Sequence, residues 1–252
     1  MMNTKDLCRF LDWDSNFFGR RIARITTNQL MADTLSQILD WCQAHRIDCL
    51  YFLCNVDAAQ SIRIAEENNF HFMDIRTTLT RQIDSAPVLT DASQMTIRLS
   101  VPTDVPLLQC IARASHHGTR FYRDPNFPRA LCDSLYATWI GQSCNGYADA
   151  VLVTEMQGQP IGYISCHLNG QGMGQIGLVG LSAEVRGRGL AKSLVYAALC
   201  WFAERSVTQV TLVTQGRNVP AQRLYQKCGF LTQSTELWYH RWFQSKDGQA
   251  AP

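Results

Sequence analysis

A short segment rich in glycine and arginine is the part of the sequence that most strongly suggests chemistry. It follows an apolar, strand-like run and opens a stretch with apolar residues at helical spacing; it consists of Arg186, Gly187, Arg188, Gly189, Leu190 and Ala191. Glycines let a ligand approach the backbone, and the N–H groups of a helix's first turn are free to bind phosphate oxygens. The spacing matches neither a dinucleotide loop nor a nucleoside-triphosphate loop. The segment predicts a phosphate-binding turn, with an ordinary helix start as the alternative.

Two residues further along the chain are also candidates for chemistry. Asn218 precedes Pro220 and a short helical pattern that ends near Lys227, which is typical of an N-cap followed by a proline in the first turn. Tyr225 lies on this helix. A tyrosine at such a position is most often part of the core, but a phenol with an ordinary pKa of about 10 is also a proton donor at neutral pH.

The elements that must hold these residues in place are strands and helices after residue 94. Alternating or continuous apolar runs predict strands, and apolar residues three and four apart predict helices. Strands are predicted at 96–101, 148–156, 160–168, 175–181, 209–214 and 230–243, and helices at 103–116 with Thr103 as N-cap, 128–140, 190–202 and 220–227. A turn at 157–160 is predicted to form a hairpin. The pattern predicts an α/β (α+β) fold with a mixed, mostly antiparallel sheet flanked by helices.

A domain boundary is predicted at residues 84–94, which are poor in large apolar residues and include a proline. A smaller N-terminal α/β domain then occupies 1–85, and the larger domain occupies 94–245. Within the smaller domain the pattern predicts helices at 30–45 and 57–68 and strands at 49–54 and 70–81. Segment 55–70 resembles segment 218–230 in the order of its asparagine, alanine, apolar residues and phenylalanine, but in a different register. This indicates either an internal repeat or chance similarity.

Composition and charge exclude several classes of protein. Of the 252 residues, 46% are hydrophobic and 17% are charged, with a net charge of +2, which is ordinary for a globular chain and excludes intrinsic disorder. Like charges form no long run, so neither nucleic acid nor a membrane surface is an expected partner. The apolar run at 194–203 is too short to span a bilayer, and we expect a cytoplasmic protein. The ten cysteines lack metal-ligand spacing, so reduced thiols and no metal are expected.

The two candidate segments together resemble the GNAT superfamily of acetyl-CoA-dependent N-acetyltransferases. Arg186-x-x-Gly189-x-Ala191 is similar to the family's pyrophosphate loop. The second match is Asn218-x-x-Ala221-x-x-Leu224-Tyr225-x-x-x-Gly229-Phe230, which is similar to its second cofactor segment. Two linked motifs are more specific than one. Many members have a proline before the loop, whereas this chain has Ala183. The resemblance covers roughly residues 94–243.

This resemblance implies a GNAT fold with a splayed sheet and acetyl-CoA as cosubstrate. Residues 186–191 would bind the pyrophosphate, and Asn218 would also contact the cofactor. The amide-like pantetheine arm can pair with the edge of strand 175–181, where an N–H near Val179, Gly180 or Leu181 could hold the thioester oxygen. Tyr225 would protonate the departing thiolate in a direct transfer within a ternary complex, without an acyl-enzyme. The smaller N-terminal domain would be a degenerate partial GNAT half, if the repeat is real.

The acceptor and the general base are less defined by the sequence. Base candidates are Glu155, His167, His116 and His117, and none is assigned. Further segments resemble members that acetylate the amine of a nucleotide-linked sugar in polysaccharide synthesis; the implied substrate-binding residues are Asn16, Phe17, Arg120, Phe121 and Tyr122. The alternatives are a peptide or another small-molecule amine as acceptor, or a CoA-binding module without catalysis. The sequence leaves open whether the protein forms a homodimer.

Overall fold

The computed structural model describes residues 7–83 and 96–243. Its strands and α-helices, in chain order, are β1 (Cys8–Phe10), α1 (Asp12–Phe18), β2 (Ile22–Ile25), α2 (Ala32–Ala44), β3 (Cys49–Asn55), α3 (Ala59–Glu67), β4 (His71–Gln82), β5 (Thr96–Leu99), α4 (Val105–Ser115), α5 (Arg120–Arg123), α6 (Arg129–Gln142), β6 (Ala150–Met156), β7 (Gln159–Leu168), β8 (Met173–Leu181), α7 (Leu190–Ala203), β9 (Gln209–Gln215), α8 (Val219–Lys227) and β10 (Leu231–Trp242). The predicted boundary segment 84–94 lies outside the described residues.

Contacts between residues divide the chain into two compact units. The described part of the first unit comprises residues 7–76, 123–131 and 235–243, and the second unit contains the remaining described residues. Each unit is therefore assembled from segments that are far apart in sequence, and β4 and β10 each contribute residues to both. The division into contiguous domains at 1–85 and 94–245 stays a prediction.

The first unit is built on a short mixed sheet. In this sheet β1 pairs antiparallel with β2, β2 parallel with β3, and β3 antiparallel with residues 236–242 of β10. Every residue of β3 except Asn55 is buried, which explains its continuous apolar sequence. The sequence patterns do not predict β1, α1 or β2, because these elements have only three, seven and four residues. Periodicity is not readable over so few positions.

The sheet of the second unit contains the predicted hairpin. Its strand order is β5, β6, β7, β8, β9 and then β4, with antiparallel pairing from β5 to β8 and parallel pairing of β8 with β9. Gln157 and Gly158 both have positive φ, 52° and 75°, at the turn between β6 and β7. This is the type I′ geometry that suits the twist of a hairpin. The predicted mixed, mostly antiparallel sheet flanked by helices is confirmed.

Two helices of the second unit frame the site described below. α7 packs its apolar stripe on the sheet, as its spacing predicts, and its buried residues include Leu194, Val195, Ala198, Leu199 and Phe202. α4 begins later than predicted: Pro102–Asp104 form a 3₁₀ turn, and Asp104 rather than Thr103 accepts a hydrogen bond, from Val101 N at 2.8 Å. Within the described residues, no helix combines the length and the apolarity needed to cross a membrane.

Candidate active site

A cleft of about 690 Å³ lies in the second unit, at the end of β8. It is bounded by the last residues of β8 and β9, by the loop before α7, by the start of α8 and by the end of α4. Its lining includes these residues predicted from the sequence: Val179, Gly180, Leu181, Arg186, Gly187, Gly189, Leu190, Ala191, Asn218 and Tyr225. Arg188, the remaining residue predicted to bind the cofactor, is not part of the described lining. Two separate sequence segments thus converge on one cleft.

One end of the cleft is formed by the turn that opens α7, which the sequence predicts to bind phosphate. Gly187 and Gly189 both have φ of 80°, and Gly189 is the N-cap of α7. The Gly189 carbonyl accepts a hydrogen bond from Lys192 N at 3.0 Å, so the earlier N–H groups, those of Leu190 and Ala191, are the donors that the helix itself leaves free. Both residues line the cleft. Free N–H groups at the positive end of a 14-residue helix suit phosphate oxygens.

The side chain of Arg186 is turned toward α4. Its Nε donates to the carbonyl oxygen of Leu181 at 3.2 Å, and its Nη2 donates to Ser115 Oγ at 3.1 Å and to the carbonyl oxygen of Ala114 at 3.4 Å. A guanidinium at the last turn of a helix is also favoured by the helix dipole. Arg186 therefore joins the turn that opens α7 to the end of β8 and to the C-terminal end of α4. Direct binding of a phosphate by its side chain stays a prediction.

An open backbone edge lies along the end of β8. The pairing of β8 with β9 runs from Met173 opposite Gln209 to Ile176 opposite Leu212, and the later residues of both strands line the cleft. Ser182 N donates to the carbonyl oxygen of Ile161, at 2.8 Å, on the β7 side. Because backbone groups alternate along a strand, the N–H groups of Val179 and Leu181 point away from β7 and toward the cleft.

Glycines shape this edge of β8. A bulge between β7 and β8 sets Gly177 and Leu178 opposite Ser165, whose Oγ accepts a hydrogen bond from Leu178 N at 2.8 Å. A Cβ at Gly180 would lie 2.7–2.8 Å from three atoms of the Tyr163 ring and hydroxyl. Gly180 is thus required for the ring of Tyr163 to pack against the strand. Tyr163 is fully buried, and the sequence reasoning did not single it out.

Asn218 and Tyr225 lie on the opposite wall. The predicted cap is confirmed, since Asn218 Oδ1 accepts a hydrogen bond from Ala221 N at 3.3 Å. Tyr225 is 7% exposed, and its ring centre lies 6.1 Å from that of Phe230. Burial, with a smaller effect of Cys228, raises the pKa of the Tyr225 phenol. The hydroxyl therefore keeps its proton at neutral pH and is available as a donor.

Of the four base candidates, His116 lines the cleft. Its Nε2 lies 3.2 Å from Tyr163 Oη, and its ring stacks on Tyr136 with centres 4.3 Å apart. Glu155 is bound by Arg98 at 2.7 Å. His117 and His167 are outside the described lining. Tyr136 and Lys192 also line the cleft and were missed, because an aromatic residue or a lysine on a helix carries no sequence signal of a site.

The residues predicted to bind the acceptor are spread over both units. Arg120, Phe121 and Tyr122 belong to α5, so the predicted loop contains a helical turn. Phe121 is 3% exposed, and Tyr122 Oη donates to Asp133 at 2.8 Å. Asn16 and Phe17 lie on α1 of the first unit, where Phe17 stacks on Trp13. None of the five is in the described lining of the cleft, and their contact with an acceptor stays a prediction.

The residues present fit an acyl-CoA molecule. The cleft offers free N–H donors and a left-handed glycine turn at one end, an unpaired strand edge along its length and a buried phenol on its wall. These features match, in turn, a pyrophosphate, an amide-bearing arm and a thiol leaving group. A mixed sheet that opens beside such a cleft is the arrangement expected of an acyltransferase.

Comparison with known proteins gives the family. Residues 117–230 match the family described as "Acetyltransferase (GNAT) family". These residues therefore form a GNAT acetyltransferase domain. The GCN5-related N-acetyltransferase from Sphaerobacter thermophilus shares the fold, with a TM-score of 0.64 and 15% identity over 94% of this chain and 76% of that one.

Two curated relatives are similar in sequence. A dTDP-fucosamine acetyltransferase of Escherichia coli O6:H1 is 25% identical over 235 residues, which are 92% of this chain and 96% of that enzyme. The spore coat polysaccharide biosynthesis protein SpsD of Bacillus subtilis is 30% identical over 150 residues, which are 56% of this chain. The matched part spans about half of SpsD, 48% of its length.

Proposed function

We propose that the protein transfers an acetyl group from acetyl-CoA to the amine of a nucleotide-linked amino sugar, and that it does so by direct attack in a ternary complex. The observation that carries the choice of acceptor is the similarity to dTDP-fucosamine acetyltransferase, because it extends through the first unit as well as the GNAT domain. The similarity to a polysaccharide biosynthesis protein supports the same acceptor class. A free peptide or another small amine would leave the first unit without a role.

The chain's own groups support direct transfer. Acetyl-CoA supplies a thioester carbonyl that a neutral amine can attack. The N–H groups of Val179 and Leu181, which point into the cleft, are placed to stabilise negative charge on that carbonyl oxygen. The N–H groups of Leu190 and Ala191 would hold the pyrophosphate.

Tyr225 is the proposed proton donor to the leaving thiolate. Burial raises the pKa of its phenol, but a thiolate formed in the same cleft is desolvated as well, so its affinity for a proton rises with it. Because the pKa values of the phenol and of the CoA thiol both rise, proton transfer from Tyr225 to the thiolate stays feasible. The Tyr225 phenolate then takes a proton from solvent, which restores the phenol for the next turnover.

The cysteines favour this route over a covalent acyl-enzyme. The described lining of the cleft contains no cysteine. Cys228, next to Tyr225, is fully buried, and burial raises the pKa of its thiol. A neutral buried thiol is a poor nucleophile, because the thiolate is the reactive form.

A panel of amines tests the acceptor class. CoA release would be measured with a nucleotide-linked 4-amino sugar, the same sugar without its nucleotide, a polyamine and a lysine-containing peptide. We expect turnover with the nucleotide-linked sugar to exceed that with each of the others. Equal or faster turnover of the peptide or polyamine would replace the proposed acceptor, and acetyl-CoA binding without turnover of any amine would leave a binding module.

A further inference from the structure

We propose that His116 accepts the proton that the acceptor amine loses during acetyl transfer, and that Tyr163 and Arg186 are the residues that position it. This inference rests on the proposed function and adds the base that the sequence leaves unassigned. His116 lies where α4 ends, and its ring lines the cleft beside the end of β8.

Contacts across β7 and β8 fix the ring of His116 next to the acyl position. Tyr163 stands opposite Gly180 in the pairing of β7 with β8, and three atoms at the tip of its side chain fill the space beside the missing Gly180 Cβ. His116 Nε2 lies 3.2 Å from Tyr163 Oη. The imidazole is thereby tied to the stretch of β8 whose neighbouring N–H groups, at Val179 and Leu181, face the cleft.

A second set of contacts fixes the backbone of His116. His116 is the C-cap of α4, directly after Ser115. The Arg186 guanidinium donates to Ser115 Oγ and to the carbonyl oxygen of Ala114, and Ser115 Oγ lies 3.4 Å from the carbonyl oxygen of Leu181. The turn that is proposed to bind the pyrophosphate is therefore linked through Arg186 to the residue before His116.

The surroundings keep His116 neutral. Its half-buried ring stacks on Tyr136 and faces the Tyr163 hydroxyl, and the nearby charged or titratable groups are His117 and Arg186. Burial, then His117 and Arg186, lower the pKa of His116 to about 4. A histidine with a lowered pKa is deprotonated above that pH, so it has a free lone pair throughout the neutral range.

The proton balance of the step is complete with the groups present. As the N–C bond of the amide forms and the C–S bond of the thioester breaks, His116 Nδ1 takes one proton from the amine nitrogen, and Tyr225 Oη gives one to the thiolate. The proposal requires the tautomer in which His116 Nε2 carries the hydrogen and donates it to Tyr163 Oη, which leaves Nδ1 as the accepting atom. Proton exchange with water returns both side chains to their starting states.

Two variants at adjacent positions test the assignment. His116→Gln removes the base, whereas His117→Gln changes an exposed neighbour outside the described lining of the cleft. We expect His116→Gln to lower kcat by about 10²- to 10³-fold, with an unchanged dissociation constant for acetyl-CoA by calorimetry, and His117→Gln to keep wild-type values. A His116→Gln enzyme with more than half of the wild-type kcat, or one that no longer binds acetyl-CoA, would overturn the proposal.

Chemical rescue distinguishes a base from a packing residue. Added imidazole should restore part of the kcat of folded His116→Ala and should leave Tyr225→Phe unchanged, because only the first lacks a proton acceptor. In Tyr163→Phe the ring stays, and the proposal predicts a lower kcat with an altered His116 pKa by NMR. Wild-type kcat in Tyr163→Phe would refute its positioning role, and absence of rescue in His116→Ala would refute the base role.

The test of His116 as the base can be decided separately from the test of the proposed acceptor. Each variant is assayed with whichever amine the wild-type enzyme acetylates fastest. If that amine is not a nucleotide-linked sugar, the proposed acceptor fails, but the comparison of His116→Gln with His117→Gln still decides the role of His116.

Discussion

Replacing Gly189 by valine should weaken acetyl-CoA binding while leaving the protein folded. Gly189 has φ of 80°, and a Cβ built there has no protein atom within 4 Å. The folded chain therefore has room for the side chain. The substitution should lower the free energy of unfolding only because valine must adopt a left-handed backbone conformation, which costs about 1–2 kcal/mol and somewhat more for a β-branched residue. The added methyl groups would instead occupy space in front of the Leu190 and Ala191 N–H groups, where a phosphate would bind.

The magnitude follows from the hydrogen bonds at risk. A hydrogen bond to a charged group contributes about 1.5–3 kcal/mol, and about 1.4 kcal/mol corresponds to a tenfold change in affinity. Loss of one donor predicts that the dissociation constant for acetyl-CoA rises roughly 10- to 100-fold. Titration calorimetry measures this constant directly, without an acceptor.

Gly158→Val is the matched control. Gly158 has φ of 75°, has equally open space around its missing Cβ and lies in the β6–β7 turn, outside the described lining of the cleft. Both variants should lower the melting temperature by similar amounts, but only Gly189→Val should bind acetyl-CoA more weakly. Unchanged binding by folded Gly189→Val, or equal weakening in Gly158→Val, would refute the assignment of this turn to the pyrophosphate.

Three further predictions concern single side chains. Tyr225→Phe should lower kcat by about 10²- to 10³-fold with nearly unchanged acetyl-CoA binding, measured per folded molecule; full turnover would return Tyr225 to a core role. Gly180→Ala should destabilise the protein by about 1–3 kcal/mol, because its Cβ would press on Tyr163; an unchanged denaturant midpoint would contradict this. Asp124→Ala should cost about 3–5 kcal/mol of unfolding free energy, since it leaves the buried His240 and the half-buried Trp242, whose N–H groups donate to Asp124 at 2.6 and 2.8 Å, without their acceptor; a loss below about 1 kcal/mol would contradict it.

The same carboxylate predicts a pH dependence. Burial alone would raise the pKa of Asp124, but the hydrogen bond and charge of His240, with hydrogen bonds from Trp242 and Asn126, lower it below its usual range. A lowered folded-state pKa gives stability that is fully present above the unfolded value of about 3.9 and is lost as pH falls toward the folded value. Denaturant titrations between neutral pH and pH 3 should show this loss in the wild type and a smaller one in Asp124→Ala; equal slopes would contradict it.

The sequence predicts the second unit well because its signals are local. The glycine turn before α7, the cap at Asn218 and the long helix α7 each depend on residues within a few positions, and the structure has all three elements where the patterns predict them. Phosphate binding by the turn stays a prediction. Tyr163 and His116 are different. Their proximity depends on the register of β7 with β8 and on the glycine at 180, which periodicity does not encode.

The assembly of the first unit is also beyond local patterns. Segment 123–131 joins this unit through Asp124, whose carboxylate accepts hydrogen bonds from β10 more than 110 positions away in sequence. The polar stretch around Asp124 contains two prolines and therefore predicts an exposed loop, not a buried aspartate. A segment that resembles a linker predicts domains that are each contiguous in sequence. It does not indicate that a single strand contributes residues to two units.

A competition experiment compares the proposed acceptor with its alternatives in a single reaction. Acetyl-CoA is added to an equimolar mixture of a nucleotide-linked 4-amino sugar, the free amino sugar and a lysine-containing peptide, and the initial acetylated products are quantified by mass spectrometry. Their ratio equals the ratio of kcat/KM values. We expect the nucleotide-linked product to exceed each of the others by about 10²-fold or more, because the site binds an additional charged group of that substrate. Equal amounts of the three products, or a majority of acetylated peptide, would contradict it.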